Sequence, residues 1–321
     1  MASREVLVAD IGGTNARFSV ADQDTLQLRY FATYRCAEFP SLTEVARKYL
    51  SGLPKPPKLA AVAVAGPTGG EVVQLTNSTW KFRVSELRAA LGLHELLVLN
   101  DFEALAYALP CLEASDLHQL GGTEPLEHAA KAVLGPGTGL GVAGLAWSPS
   151  GWLAVPSEGG HSTFAAKDAR ELAMVERLIA GRGHLSVERV VSGPGIVDVY
   201  RALAEMHGHT APQLQPAEVV TRARSEADPL AREAIELFVT WLGRFAGDVA
   251  LFFGARGGVY LGGGIAPKLI DFLSAGEFRR SFEAKGRMAS YLTPIPVYVI
   301  LTGDAALKGA AAALATRFQE A

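Results

Sequence analysis

The sequence predicts an α/β protein with two related domains, and two observations support this. A buried strand, a glycine loop and a second strand follow one another in the segment 6–20, VLVADIGGTNARFSV, and the same order returns in 132–147 around GPGTGLG. Elsewhere, short apolar runs alternate with segments of helical periodicity, which is typical of α/β folds. A unit that occurs twice favours two domains of similar design with a cleft between them, although two unrelated glycine hairpins would give the same pattern by chance.

Composition narrows the class of protein. The chain has 321 residues, 49% of them hydrophobic, enough for a large core. With 30 basic and 33 acidic residues and no long basic run, nucleic acid is not expected as a partner. The longest uncharged span, 132–157, contains six glycines and three prolines, which argues against a membrane helix. Cys36 and Cys111 are too few for a disulfide framework or a cysteine zinc site, so we expect a cytoplasmic protein.

The first hundred residues predict alternating strands and helices. Ser41 and Glu44 have the spacing of a capping box, Gly66–Gly70 is a turn that makes a hairpin, and Pro110 ends a helix. A polar loop is expected at 77–80. Strands are predicted at 6–9, 17–20, 26–34, 59–65, 71–75 and 96–99, and helices at 41–50, 85–92 and 102–109.

The rest of the chain is richer in helices. Asp168 and Asp228 are candidate N-caps, while Gly181 and Gly254 are candidate helix ends. Strands are predicted at 132–134, 142–147, 152–155, 258–261 and 297–301. Helices are predicted at 168–181, from Pro194, from about Pro216, at 228–254, from Pro267, and from the Asp304 cap to Phe318, the last returning to the first domain.

The first glycine loop has the chemistry of a phosphate site. Glycine leaves no Cβ between the backbone and a ligand, so successive N–H groups can point at phosphate oxygens. Asp10, at the end of the preceding strand, could hold a magnesium ion or its waters beside them. An ordinary glycine hairpin is the alternative. The candidate phosphate residues here are Gly12, Gly13, Thr14 and Asn15.

Further polar groups suggest phosphoryl transfer or hydrolysis. Asp101 follows a buried strand and could take the proton of an attacking hydroxyl, or could simply cap the helix from Phe102. A second candidate nucleotide set comprises Gly137, Thr138, Gly139, Gly262, Gly263 and Gly264. Glu158, His161 and Glu188 are good acceptors for sugar hydroxyls, and zinc binding by His161 is the weakest option.

Several motifs together resemble those of the bacterial glucokinase family, in the hexokinase, Hsp70 and actin ATPase superfamily. They are DIGGTNAR at 10–17, TNSTW at 76–80, LNDFEA at 99–104, GPGTGLG at 135–141, EGGH at 158–161, ERVVSGPG at 188–195 and LGGGI at 261–265. The resemblance implies a two-domain actin-like ATPase (ribonuclease H-like) fold with a cleft between a small and a large domain. It also implies ATP, Mg²⁺ and glucose, with phosphorylation of the sugar's 6-hydroxyl.

The same resemblance implies residue roles. Asp101 would be the base, the loops at Gly12 and Gly137 would hold phosphate, and the sugar contacts would be Asn100, Asp101, Glu158, His161 and Glu188. We predict a small domain of residues 1–110 plus 302–321, a large domain of 111–301, and a homodimer.

Three alternatives remain open at this point. One is a catalytically silent sugar-binding regulator, as in the related repressor and kinase family. That family usually has a cysteine zinc motif after its E-x-G-H element and an N-terminal DNA-binding extension, neither of which we find in this sequence. The others are a kinase for mannose or N-acetylglucosamine, and polyphosphate as the donor.

Overall fold

The computed structural model describes residues 5–76, 78–181, 183–225 and 227–319, which form a mixed α/β protein. The strands are β1 (Glu5–Ile11), β2 (Asn15–Asp22), β3 (Leu28–Arg35), β4 (Leu59–Val64), β5 (Val72–Gln74), β6 (Lys81–Arg83), β7 (Glu95–Asn100), β8 (Leu117–Gly121), β9 (Lys131–Pro136), β10 (Leu140–Ser148), β11 (Gly151–Ser157), β12 (Val259–Leu261) and β13 (Val297–Ile300). The helices are α1 (Leu42–Ser51), α2 (Val84–Ala90), α3 (Asp101–Ala108), α4 (Ala169–Ile179), α5 (Gly193–Met206), α6 (Pro216–Ala223), α7 (Pro229–Phe253), α8 (Ile270–Leu273), α9 (Glu277–Glu283), α10 (Ala289–Leu292) and α11 (Ala305–Gln319). In this described part of the chain, none of the helices has the length and apolar character needed to span a bilayer.

The chain divides into two compact units. The first comprises the described residues up to Asp116, the segment Leu145–Pro156, and the described residues from Thr302 onward. The second comprises Leu117–Gly144 and Ser157–Leu301. The domain limits expected from the sequence, at residues 110 and 302, stay a prediction.

The first unit is built around a five-stranded sheet in the order β3-β2-β1-β4-β7. β1 pairs antiparallel with β2 and parallel with β4, which in turn pairs parallel with β7. Leu7 and Ala9 of β1 pack with α1, whereas Val6 and Val8 pack with α11. Successive side chains of a strand point to opposite faces, so a strand covered on both sides has to be apolar on both. The apolar run 6–9 meets this requirement.

The helix α11 covers one face of this sheet and lies against α3. Its apolar residues share a buried cluster with the small residues Ala61 and Ala63 of β4. A Cβ at Gly309 would overlap the carbonyl oxygen of Ala104, so the absence of a side chain there lets the two helices approach closely.

The second sheet has six strands in the order β11-β10-β9-β12-β13-β8. β12 pairs parallel with both β9 and β13, and the edge strand β8 pairs antiparallel with β13. The long helix α7 buries Phe238 and Trp241 in the core of the second unit. Asp228 caps it by accepting a hydrogen bond from the Ala231 N–H at 3.0 Å, and Gly254 ends it at φ +59°, as predicted.

One predicted hairpin is wrong. The segment after Gly66–Gly70 does not pair with β4. Instead, β5 pairs antiparallel with β6 in a separate two-stranded sheet. Trp80, between these strands, is buried and donates its indole N–H to the Phe39 carbonyl oxygen at 3.3 Å. Contacts with a segment distant in the sequence therefore decide which strand pairs with β5. The predicted polar loop includes Asn77, which lies outside the described residues.

Two element starts also differ from expectation. The third strand begins at Leu28 rather than Leu26, because Leu26 turns with φ +56° and donates its N–H to the Asp22 carbonyl oxygen at 2.8 Å. The segment Ala266–Leu269, expected to open an α-helix at Pro267, is a 3₁₀ turn followed by α8. The Lys268 N–H bonds the carbonyl oxygen three residues back, at 3.0 Å, which tightens that turn.

Candidate active site

The first glycine loop joins β1 to β2. The Gly12 N–H donates to the Asn15 carbonyl oxygen at 2.9 Å, while Gly13, Thr14 and Asn15 are exposed. Cys36, which is buried next to the loop, makes two hydrogen bonds to it. Its N–H donates to the Thr14 carbonyl oxygen at 2.9 Å, and its Sγ–H donates to the Gly12 carbonyl oxygen at 3.4 Å. The carbonyl oxygens of Gly12, Thr14 and Asn15 are therefore all engaged within the protein, and the loop's outer residues are exposed.

Asp10 lies opposite Arg17 in the β1–β2 ladder. The Arg17 Nη1 is 3.5 Å from the Asp10 Oδ2 and donates to the Gly303 carbonyl oxygen at 3.3 Å. Burial raises the pKa of the Asp10 carboxyl, and the Arg17 charge acts in the opposite direction. Arg17 thus links the proposed metal carboxylate to the segment that leads into α11.

Asn100 ends β7 and caps α3. Its Oδ1 accepts from the N–H groups of Phe102 and Glu103 at 2.9 and 3.3 Å, and its Nδ2 donates to the Gly66 carbonyl oxygen at 3.2 Å. The Glu103 carboxylate accepts from the Asn100 N–H at 3.2 Å, which completes a capping box. Burial raises the pKa of the Glu103 carboxyl.

Asp101 is the first residue of α3, so the alternative that it is the N-cap is wrong: Asn100 has that place. Its Oδ1 accepts the Phe102 N–H at 3.0 Å, and the residue is partly exposed.

The structure brings Glu158, His161 and Glu188 together, as the sequence suggested. The His161 Nε2 is 3.8 Å from the Glu158 Oε2, and its Nδ1 is 3.9 Å from the Glu188 Oε1. A short ladder holds the two segments in place, since the Val187 N–H donates to the Ser162 carbonyl oxygen at 2.9 Å. The side chains of Glu158 and His161 are 71% and 61% exposed, so the cluster presents its polar atoms outward.

The second glycine loop, 135–139, lies beside the glycines 262–264 because β9 and β12 are parallel neighbours. A Cβ at Gly135 would lie 2.5 Å from the backbone of Gly262, and one at Gly263, where φ is +77°, would lie 2.6 Å from the Pro136 carbonyl oxygen. Both positions therefore require glycine. Thr138, Gly263 and Gly264 are exposed.

The loop also contacts the start of α5 and the Glu188 side chain. The Gly193 N–H donates to the Gly137 carbonyl oxygen at 2.8 Å, and the Leu140 N–H donates to the Glu188 Oε2 at 2.8 Å. Within the described residues, no three or more histidine, cysteine or acidic side chains are placed to hold a metal ion together.

Sequence reasoning gave no role to Arg17, Cys36 or the Leu140 N–H. The contact of Arg17 with Asp10 could have been predicted, because a hairpin that turns at this loop places the two residues opposite each other. The other two contacts depend on tertiary packing between distant segments, and no local pattern signals them.

Comparison with known proteins bears on both fold and chemistry. A family model described as Glucokinase matches residues 7–317. A glucokinase of Neisseria meningitidis is 44% identical over 310 residues, which cover 96% of this chain and 94% of that protein. A crystal structure of glucokinase from an Antarctic psychrotroph has a TM-score of 0.87 at 38% identity, covering 97% and 98% of the two chains.

A further likeness concerns the fold alone. The crystal structure of a Balamuthia mandrillaris glucokinase in complex with glucose has a TM-score of 0.81 at 24% identity, covering 98% of this chain and 94% of that one. The predicted two-domain actin-like ATPase fold is confirmed by these neighbours.

Proposed function

The chain belongs to the glucokinase family, and we propose that it transfers the γ-phosphoryl group of ATP to the 6-hydroxyl of glucose with Asp101 as the general base. One observation carries the role of Asp101. β1, β4 and β7 are parallel neighbours in which Ile11, Val64 and Asn100 are aligned. The first glycine loop and Asp101 therefore follow the same edge of one sheet, two strands or about 10 Å apart. That separation leaves room for a phosphoryl group and an acceptor hydroxyl.

In the proposed step, the Asp101 carboxylate accepts the proton of the 6-hydroxyl as the hydroxyl oxygen bonds to the γ-phosphorus. The bond from that phosphorus to the β,γ-bridging oxygen breaks, and ADP leaves with its electron pair. The glycine loops at 12–15 and 137–139 orient the phosphates through backbone N–H groups other than those of Gly12 and Gly137, which bond within their own loops. Such groups need no reorganisation during the reaction.

Asp10 is the residue that would hold Mg²⁺. A magnesium ion keeps several waters and binds through one or two carboxylates plus substrate phosphates. Asp10 fits this pattern, because it is a largely buried carboxylate beside the loop whose contact with Arg17 is long, at 3.5 Å. The bound ion would neutralise phosphate charge.

We propose that the sugar contacts two sets of residues. Glu158, His161 and Glu188 would bind its 1-, 2- and 3-hydroxyls, and Asn100 and Asp101 its 4- and 6-hydroxyls. Although the Asn100 Oδ1 is used as a cap, its Nδ2 has a second N–H, because only one is needed for the Gly66 carbonyl oxygen.

The test of the base is Asp101→Asn. We expect the variant to fold and to bind glucose, while kcat falls by about 10² to 10⁴-fold, since the amide cannot accept the proton. Asp168→Asn is the matched control, because it also removes a carboxylate at the start of a helix, where Asp168 caps α4. Turnover of Asp101→Asn close to that of the control would overturn the assignment.

A panel of sugars and donors tests the substrate. We expect glucose with ATP to give the highest kcat/KM, mannose a weak reaction and galactose a poor one, because inverting the 4-hydroxyl leaves the polar groups proposed to bind it unpaired. Faster reaction of another hexose or of polyphosphate would replace the proposed substrate, and no phosphorylation at all would favour a silent sugar-binding regulator. We further propose a homodimer, to be measured by light scattering, acting in the cytoplasm, where ATP is available.

A further inference from the structure

The carboxylate of Glu188 faces two different loops with its two oxygens. Oε2 accepts the Leu140 N–H at 2.8 Å, at the end of the second glycine loop. Oε1 is 3.9 Å from the His161 Nδ1, in the cluster proposed to bind the sugar. The side chain is 26% exposed, so this bridging position is partly shielded from solvent.

Gly139 is what allows the carboxylate to reach Leu140. A Cβ at Gly139 would lie 2.5 Å from the Glu188 Oε2 and 3.2 Å from its Cδ, closer than side-chain atoms approach. In the same loop, a Cβ at Gly137 would meet nothing within 4 Å. The two glycines therefore differ: one faces open space, and the other faces a carboxylate.

We propose that Gly139 is a positioning residue for the sugar site, and that the hydrogen bond from the Leu140 N–H to Glu188 couples glucose binding to nucleotide binding. This rests on the proposed function, in which Glu188 contacts glucose and the loop 137–139 contacts phosphate. A nucleotide that fixes the loop also fixes the Leu140 N–H, and through it the orientation of the Glu188 carboxylate. By linkage, glucose then changes the affinity for the nucleotide by the same factor.

The first test is Gly139→Ala against Gly70→Ala, because a Cβ at Gly70 would also meet nothing within 4 Å. Glucose binding is measured by calorimetry in the absence of nucleotide. The methyl group at 139 displaces the carboxylate, and we expect the Kd for glucose to rise by about 10-fold or more, the effect of losing a charged hydrogen bond. Gly70→Ala should change the Kd for glucose by less than about 2-fold. Equal Kd values for the two variants would overturn the positioning role. If the wild-type protein binds no glucose, the proposed function fails instead.

The second test does not depend on Gly139→Ala folding. The Kd for glucose is measured with and without a non-hydrolysable ATP analogue, for the wild type and for Glu188→Asp, whose shorter side chain cannot reach both loops. We expect the two Kd values to differ by at least about 3-fold in the wild type and to become nearly equal in Glu188→Asp. The coupling is overturned if the wild-type values are equal, or if the variant keeps the wild-type ratio.

Discussion

The two glycine loops look alike in sequence but differ in what surrounds them. In the first loop, a Cβ at Gly12 would make an ordinary contact, 3.6 Å from the Asn15 carbonyl oxygen. In the second, Gly135 faces the backbone of Gly262 and Gly139 faces the Glu188 carboxylate, each at 2.5 Å. Gly12 of the first loop thus has space for a side chain, whereas Gly135 and Gly139 of the second loop lie against other parts of the protein.

The largest expected effect is that of Gly135→Ala. Its Cβ would press on the backbone of the neighbouring strand region, which cannot rotate away, and overpacking of this kind costs about 1–3 kcal/mol. We therefore expect a lower midpoint of thermal unfolding. Gly264→Ala is the control, since a Cβ there would meet nothing within 4 Å. Equal midpoints for the two variants would mean that packing does not require glycine at position 135.

A smaller effect is expected at Cys36, which supports the first loop from the side. Cys36→Ala removes the Sγ–H hydrogen bond to the Gly12 carbonyl oxygen but keeps the backbone bond to Thr14. A net hydrogen bond is worth about 1 kcal/mol, so we expect the KM for ATP to rise by about 5-fold with little change in kcat. Cys36→Ser should bring the KM for ATP most of the way back to the wild-type value. Cys111→Ala, which removes the other free thiol, serves as the control, and an identical KM in both alanine variants would remove Cys36 from the support of the loop.

The smallest effect on stability is expected for Gly12→Ala. Because its Cβ has space and its φ lies outside the left-handed region, the free energy of unfolding should change by less than about 0.5 kcal/mol. Chemical denaturation of this variant beside Gly135→Ala measures the difference between the loops directly. A loss as large as that of Gly135→Ala would show that the first loop is also packed to its limit.

Local signals were enough to predict most of the fold. The apolar run of β1, the Asp228 and Gly254 ends of α7 and the Asp168 cap of α4 each depend on a few neighbouring residues. The partner of β5 could not be found in this way, because the burial of Trp80 against a distant segment selects it.

In the candidate site, too, some residues could be predicted from the sequence and others could not. Residues that belong to a motif, such as Asp10 and Glu158, were predicted as site residues along with the other members of that motif. The spacing of Asn100 and Glu103 is that of a capping box, so the sequence alone contains the signal for Asn100 as the N-cap of α3. The contact of Cys36 with Gly12 crosses 24 residues, and only the tertiary structure reveals it.

The position of α11 has a consequence for synthesis of the protein. The strands of the first sheet are complete at Asn100, whereas the helix that covers one of its faces begins at Ala305. A ribosome adding roughly 5–20 residues per second needs roughly 10–40 s to make the intervening chain. During that time Val6, Val8, Ala61 and Ala63 lack the helix that buries them, and the strands of the second sheet all emerge first. The first unit to be translated is therefore the last to be finished, and until then its nascent sheet exposes apolar surface that a chaperone can protect.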